Sequence, residues 1–258
     1  MSFPIYQIDA FTNRVFGGNP AAVVILDEWL EDETLQAIAA ENNLAETAFV
    51  IPGAKCSELR WFTPVVEVEL CGHATLAAAY VLFQEYFRAE SHLRFETKSG
   101  CLAVSRKENF LFLDFPSRPG KAVSVDDSLI EVLGTAPESA FLARDLMVVL
   151  ESEAQVRSFS PNYHAIQGLD AFALIITARG DEVDFVSRFF APGAGVPEDP
   201  VTGSAHCTLI PYWADRLGKT DLVARQLSSR GGELSCELHG DRVLIGGEVV
   251  EYMRGKIL

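Results

Sequence analysis

The chain has 258 residues, 48% of them hydrophobic and 22% charged, which gives enough material for a sizeable core and excludes disorder, collagen and a coiled coil. Its 36 acidic residues outnumber 21 basic ones for a net charge of -15. A surface this negative repels phosphate backbones and anionic lipid, and no run of Lys and Arg offers a local exception, so neither nucleic acid nor membrane is an expected partner.

At about 150 residues per domain the length suggests two domains or one large one. Met1 to Thr12 lacks the basic segment and apolar stretch of a secretion signal, so a cytoplasmic protein is expected. Glu31 to Asn42 reads as a helix with Leu35, Ile38 and Ala39 on one face, ended by Asn42-Asn43. Ala48 to Ile51 then reads as a strand. The longest windows without Asp, Glu, Lys or Arg are Leu70 to Gln84 and Pro200 to Ala214, each 15 residues. Both are shorter than the roughly 20 residues a bilayer demands. Within them Ala74 to Phe87 and Ala205 to Leu217 read as helices, the first apolar on all sides and therefore buried, the second stopped by Gly218. Pro116, Pro119 and Gly120 mark a linker.

Sliding the chain on itself reveals a repeat at an offset of about 130 residues. Arg60-Trp61-Phe62-Thr63-Pro64 is echoed by Arg188-Phe189-Phe190-Ala191-Pro192, and Gly72-His73-Ala74 by Gly203-Ser204-Ala205. Gly72 to Gly100 and Gly203 to Gly231 both span 28 positions. Strand-like runs follow each later glycine: Cys101 to Ser105 and Phe110 to Phe115, then Glu233 to Leu238 and Arg242 to Val250. We therefore expect an α+β protein of two pseudo-symmetric domains, residues 1–118 and 119–258, with the final strand able to cross into the first. Each domain would wrap a mainly antiparallel sheet around one buried helix.

Five cysteines (56, 71, 101, 207, 236) form no C-x-x-C pair, so free thiols are expected rather than a disulfide frame or structural zinc. The His residues near Asp or Cys lack ligand spacing, and no metal is expected. The two buried helices begin at Gly-His and Gly-Ser, where free amides and the positive end of the helix dipole suit a carboxylate or enolate. A small organic anion is thus the expected partner.

Phe11-Thr12 with Gly18-Asn19-Pro20, Asn43 to Thr47, the run Arg60 to Thr75 ending in Leu70-Cys71-Gly72-His73-Ala74-Thr75, and Glu198 to His206 resemble the PhzF-like (phenazine biosynthesis) family in order and over almost the whole chain. The resemblance implies the diaminopimelate-epimerase-like fold with a site between two similar domains, homodimers, and an isomerisation without cofactor or metal. In the phenazine-pathway member a proton moves across a dihydro-hydroxyanthranilate ring. The resemblance leaves this chain's substrate open. It maps the catalytic carboxyl onto Glu46, and its apolar neighbours suggest a pKa raised by burial; the competing reading is a solvated connector residue. It assigns His73 to substrate binding and proton handling, and the helix dipole would keep that imidazole neutral. Asp199 is implied as a site carboxylate, against a plain turn or N-cap role. Gly72, Gly203 and Ser204 match substrate-cradling positions. Related two-thiol racemases and epimerases place one Cys before each central helix. Here Cys71 has Thr202 as its counterpart, so the symmetric thiol mechanism is broken and Cys71 reads as a small buried hydrophobe. A racemase or epimerase and a non-catalytic binding protein remain the alternatives.

Overall fold

The two uncharged windows fold as helices, and the short alternating runs around them as strands, in the computed structural model, which describes residues 2–258. The chain divides into two units, one made of the residues up to Asp114 together with Gly246–Leu258, the other of Phe115–Ile245.

The first unit contains β1 (Phe3–Ala10), β2 (Asn19–Ile25), α1 (Asp32–Asn42), β3 (Glu46–Ile51), β4 (Ser57–Phe62), β5 (Glu67–Val68), α2 (Gly72–Glu85), β6 (His92–Thr97), β7 (Gly100–Lys107) and β8 (Phe110–Pro116), plus the last strand, β18 (Val249–Ile257). β1 runs antiparallel to both β18 and β2, β2 parallel to β3, and β3 antiparallel to β4. β4 is antiparallel to β5 and parallel to β6, and β6, β7 and β8 form an antiparallel meander.

The second unit contains β9 (Lys121–Val123), α3 (Asp127–Leu133), β10 (Ser139–Leu142), β11 (Leu146–Val149), α4 (Glu153–Ser158), α5 (Tyr163–Gln167), β12 (Leu174–Arg179), β13 (Phe185–Ala191), β14 (Val196–Asp199), α6 (Gly203–Leu217), β15 (Asp221–Gln226), β16 (Gly232–His239) and β17 (Arg242–Gly247). Its ladder repeats the first unit's succession of senses. β9, β10 and β11 are antiparallel neighbours, β11 is parallel to β12, β12 antiparallel to β13, and β13 antiparallel to β14 but parallel to β15. β1 thus corresponds to β10, and β18 fills in the first unit the place of β9 in the second.

The repeated Arg-x-Phe has a physical basis. On β4 the Arg60 guanidinium donates through Nε and Nη2 to both oxygens of Glu67 on β5, at 2.8 and 2.9 Å, and lies 5.1 Å from the Phe62 ring. On β13, Arg188 donates to both oxygens of Glu198 on β14, at 2.7 and 3.0 Å, and lies 5.0 Å from the Phe190 ring. Each bidentate pair fastens the short strand that leads into the unit's main helix.

α2 has ten buried residues from His73 to Phe83 and packs on β1, β2 and β3. Burying each large apolar side chain contributes about 1.5–3 kcal/mol, which explains why the helix tolerates no charge until Glu85. α1 lies against β3 and β4, where Leu35 and Ala39 join Val24, Leu26, Phe49 and Phe62 in a separate cluster, and Asn43 closes it in the left-handed conformation. α6 packs on β15 and β16 and ends at Gly218, also left-handed. Pro211 lies inside α6 and has no N–H to give Cys207 O; that carbonyl accepts from Arg118 N at 2.8 Å instead.

Three expectations need correction. α2 starts two residues earlier than the sequence reading and ends at Glu85, because Gly72 and His73 already have helical backbone. The run Arg242 to Val250 is two strands, not one: the chain breaks at Glu248, whose carbonyl accepts from Thr12 N, and β18 then pairs along β1. The three short helices α3, α4 and α5 were not anticipated.

Candidate active site

β2 and β3 are parallel, so both begin at the same end of the sheet, and the N-terminus of α2 comes to that end. Asn19 is the first residue of β2, Glu46 the first of β3, and His73 the second of α2. Gly18 makes this approach feasible. It has φ of 60°, and a Cβ there would lie 2.0 Å from Ala10 O, so only glycine delivers Asn19 to its place.

His73 Nε2 lies 3.0 Å from Glu46 Oε2, with side-chain exposures of only 7% and 17%. The ring's other nitrogen, Nδ1, is 3.1 Å from Asn19 Nδ2 and 3.6 Å from Cys71 Sγ. Cys71 is the N-cap of α2 in extended backbone but gives no side-chain cap, and the first turn holds no acidic residue. The amides there remain available to an anion. Thr75 Oγ1 donates to Cys71 O at 2.6 Å and fixes the turn that carries the thiol.

The electrostatics reverse two expectations. Burial does push the Glu46 carboxyl upward, but the charge of His73 and hydrogen bonds from His73 and Cys71 outweigh it, and Glu46 lies below its ordinary value. Burial pulls His73 down, yet the anionic forms of Cys71 and Glu46 and their hydrogen bonds carry it well above its ordinary value. The Cys71 thiol is itself pushed up to about 11, by burial and then by Glu46, so near neutral pH the anion facing His73 is Glu46. The pair is therefore a carboxylate beside an imidazole that favours protonation, rather than a neutral acid beside a neutral base. Cys71 is also more than a hydrophobe, since its sulfur touches both members of that pair.

Glu46, Cys71 and His73 each offer one donor atom within 4.8 Å of the others, a set able to hold a metal among the described residues. The positive end of α2 beside them works against a cation.

In the second unit Thr202 is the N-cap of α6. Its hydroxyl donates to Asp199 Oδ2 at 2.6 Å, its amide donates to Gln226 Oε1 at 2.8 Å, and Gln226 Nε2 donates to Asp199 O and Thr202 Oγ1. Asp199 thus orders the turn before α6. Gly203 opens the helix, again without a side-chain cap or a first-turn acid. Ser204 Oγ accepts from Arg144 Nη2 at 3.2 Å; Arg144 is also held by both oxygens of Asp145 and lies 4.6 Å from the Phe172 ring. His206, fully buried, has Nδ1 2.8 Å from Thr202 O, and burial lowers it to about 4.

The structure therefore groups Glu46, Gly72 and His73 within the first unit, and Asp199, Gly203 and Ser204 within the second. Asn19, Arg144 and Gln226 were missed. Asn19 stood in a motif without a role, while nothing local in the sequence marks Arg144 or Gln226. No helix among the described residues is long and apolar enough to cross a membrane.

The sequence profile of the phenazine biosynthesis-like proteins, PhzC-PhzF, matches residues 8–255. An "uncharacterized isomerase" of Pseudomonas aeruginosa is 52% identical over 258 residues, covering 100% of this chain and 99% of that protein. The crystal structure of a PhzF-family protein from Enterococcus faecalis superposes with a TM-score of 0.98 at 48% identity, covering both chains fully. A hydroxyproline epimerase from Agrobacterium vitis shares the fold alone, with a TM-score of 0.66 at 9% identity over 99% of this chain and 92% of that one. By sequence and by fold, then, the chain belongs to the phenazine biosynthesis-like PhzC-PhzF family, among relatives named isomerases.

Proposed function

We propose that this protein is a cofactor-independent isomerase that shifts a proton on a small carboxylate-bearing metabolite, with Glu46 as general base and then general acid. The observation that carries the reading is the pair of Glu46 Oε2 and His73 Nε2 at 3.0 Å, shielded from water at the uncapped start of α2. The ionised Glu46 takes a proton from a carbon made acidic by an adjacent unsaturated or carboxyl group. Negative charge then develops on substrate oxygen, where the imidazole and the amides of Gly72 and His73 offset it. Glu46 returns the proton at a second carbon, so the double bond moves and no electron is gained or lost. Within the second unit, Asp199 remains a proposed catalytic carboxylate, and Gly203 and Ser204 remain proposed substrate-cradling positions.

The two-thiol racemase reading is less well supported. Cys71 is held as a thiol, and its counterpart Thr202 is engaged with Asp199 and Gln226.

The test uses 2,3-dihydro-3-hydroxyanthranilate and a panel of small unsaturated and 2-amino acids in D2O, with carbon-bound proton exchange followed by NMR. Glu46→Gln should lower the exchange of a turned-over probe by about 10²–10⁴-fold with the circular dichroism spectrum unchanged. Exchange at the wild-type rate in that variant refutes the proposal.

A further inference from the structure

The geometry points to Asn19 as a positioning residue that decides which nitrogen of His73 carries the proton, an inference that rests on the Glu46–His73 reading above. The ring has a different neighbour on each side. Glu46, from β3, faces Nε2 and can only accept when ionised. Asn19, from β2, presents its Nδ2 amide to Nδ1 at 3.1 Å, buried from solvent. An amide N–H can bond Nδ1 only through the nitrogen's lone pair, so Asn19 favours a bare Nδ1. Cys71 Sγ lies 3.6 Å from the same nitrogen, but its single S–H is shared with Glu46, so the asparagine amide is the group that discriminates there. Whenever the ring is neutral, both sides therefore favour hydrogen on Nε2, the nitrogen 3.0 Å from Glu46 Oε2. Placing a second proton on Nδ1 requires the Asn19 amide to turn over and present its oxygen.

This divides control of His73 between two residues. Glu46 draws protons to the ring, and Asn19 restrains the uptake on the far side. The one mobile proton is kept on the nitrogen that faces the acid/base group, where it can stabilise charge developing on a substrate. The Gly18 turn, which admits no Cβ, exists to hold the asparagine in this register.

The test is nitrogen-15 NMR of histidine-labelled full-length protein, in wild type, Asn19→Asp and Asn19→Ser, with His73→Gln used to assign the signals. Above the His73 titration midpoint the wild-type ring should show a protonated Nε2 and a bare Nδ1. Asn19→Asp replaces the donor with an acceptor of the same shape, so the midpoint should rise by about one pH unit or more. Asn19→Ser loses the donor without adding charge and covers the case in which the buried aspartate prevents folding; its midpoint should also rise, by less. A wild-type neutral ring protonated on Nδ1, or midpoints in both folded variants no higher than wild type, overturns the inference. These readouts need no turnover, so they separate from the exchange test. Full exchange in Glu46→Gln would remove the proposed reaction and leave the tautomer result standing on its own.

Discussion

His206 should make the second unit sensitive to mild acid. Its ring has no solvent exposure, its Nδ1 is 2.8 Å from Thr202 O, and its Nε2 has no hydrogen-bond partner among the described residues. Burial lowers its pKa from 6.5 to about 4. The unfolded chain takes up a proton near 6.5, whereas the native state refuses it until about 4. Between those values the unfolded state binds more protons, and stability falls as pH falls. The full difference corresponds to about 3 kcal/mol, and at pH 5, where most carboxylates are still ionised, to about 2 kcal/mol. His206→Gln keeps a donor within reach of the Thr202 carbonyl but cannot titrate. Urea unfolding of both proteins at pH 7 and pH 5 isolates the effect, because every other group cancels in the comparison. In a W29F/W61F background, Trp213, which stacks on Phe185 at 5.8 Å beside the His206 ring, reports the second unit by fluorescence. The wild type should lose about 2 kcal/mol more than His206→Gln between the two pH values. Equal losses would show that the imidazole is hydrated or charged in the native state and would refute the reasoning.

Gly18→Ala should destabilise the first unit by about 2 kcal/mol or more, since it forces a side chain into the left-handed region against Ala10 O. Thermal unfolding reads that loss, and the His73 nitrogen signals should shift with the displaced Asn19; an unchanged Tm contradicts the close approach. Among the thiols, the exposed Cys101 should react first with dithionitrobenzoate. Cys71, Cys207 and Cys236 should react only on unfolding, because burial hides them and raises all three, the first two to about 11. Rapid labelling of Cys71, Cys207 or Cys236 in the native protein, mapped by mass spectrometry, counts against this ordering.

What the sequence disclosed followed from local physics. The absence of charge across Leu70 to Gln84 is a property of neighbouring residues, and so is the asparagine that ends α1; both survive folding almost unchanged. The short helices escaped notice although Asp126, Ser152 and Asn162 each cap one. Helices of seven, six and five residues complete too few turns to display a period. The charge state of the site was misjudged for a different reason. Burial and the helix dipole can be inferred from nearby sequence, but the dominant neighbour of His73 is Glu46, on a separate strand, and its tautomer depends on Asn19, 54 positions away. Through-space terms of that kind exist only once the strands have paired.

The duplicated ladder also explains why the chemistry is uneven between the units. Thr47 on β3 stands opposite Phe62, and in the second unit Leu174 on β12 stands opposite Phe190, the counterpart of Phe62, so the position matching Glu46 is the buried Ala173. At the helix starts Cys71-Gly72-His73 corresponds to Thr202-Gly203-Ser204. The frame has been kept, including the Arg-to-Glu clasp before each helix, yet the Glu46–His73 pairing has no equivalent at the corresponding positions of the second unit. The second has an apolar residue where Glu46 would stand, and it spends its polar groups on Thr202, Asp199 and Gln226, which bond one another. A symmetric two-base exchange needs equivalent acids at both helix starts, and the second unit offers hydroxyls that are poor acids near neutral pH. The isomerisation proposed above would therefore rest on a single group that both takes and returns the proton. Such a group must regain its starting state within each cycle. Glu46, beside an imidazole whose mobile proton is kept on the facing nitrogen, is suited to that requirement.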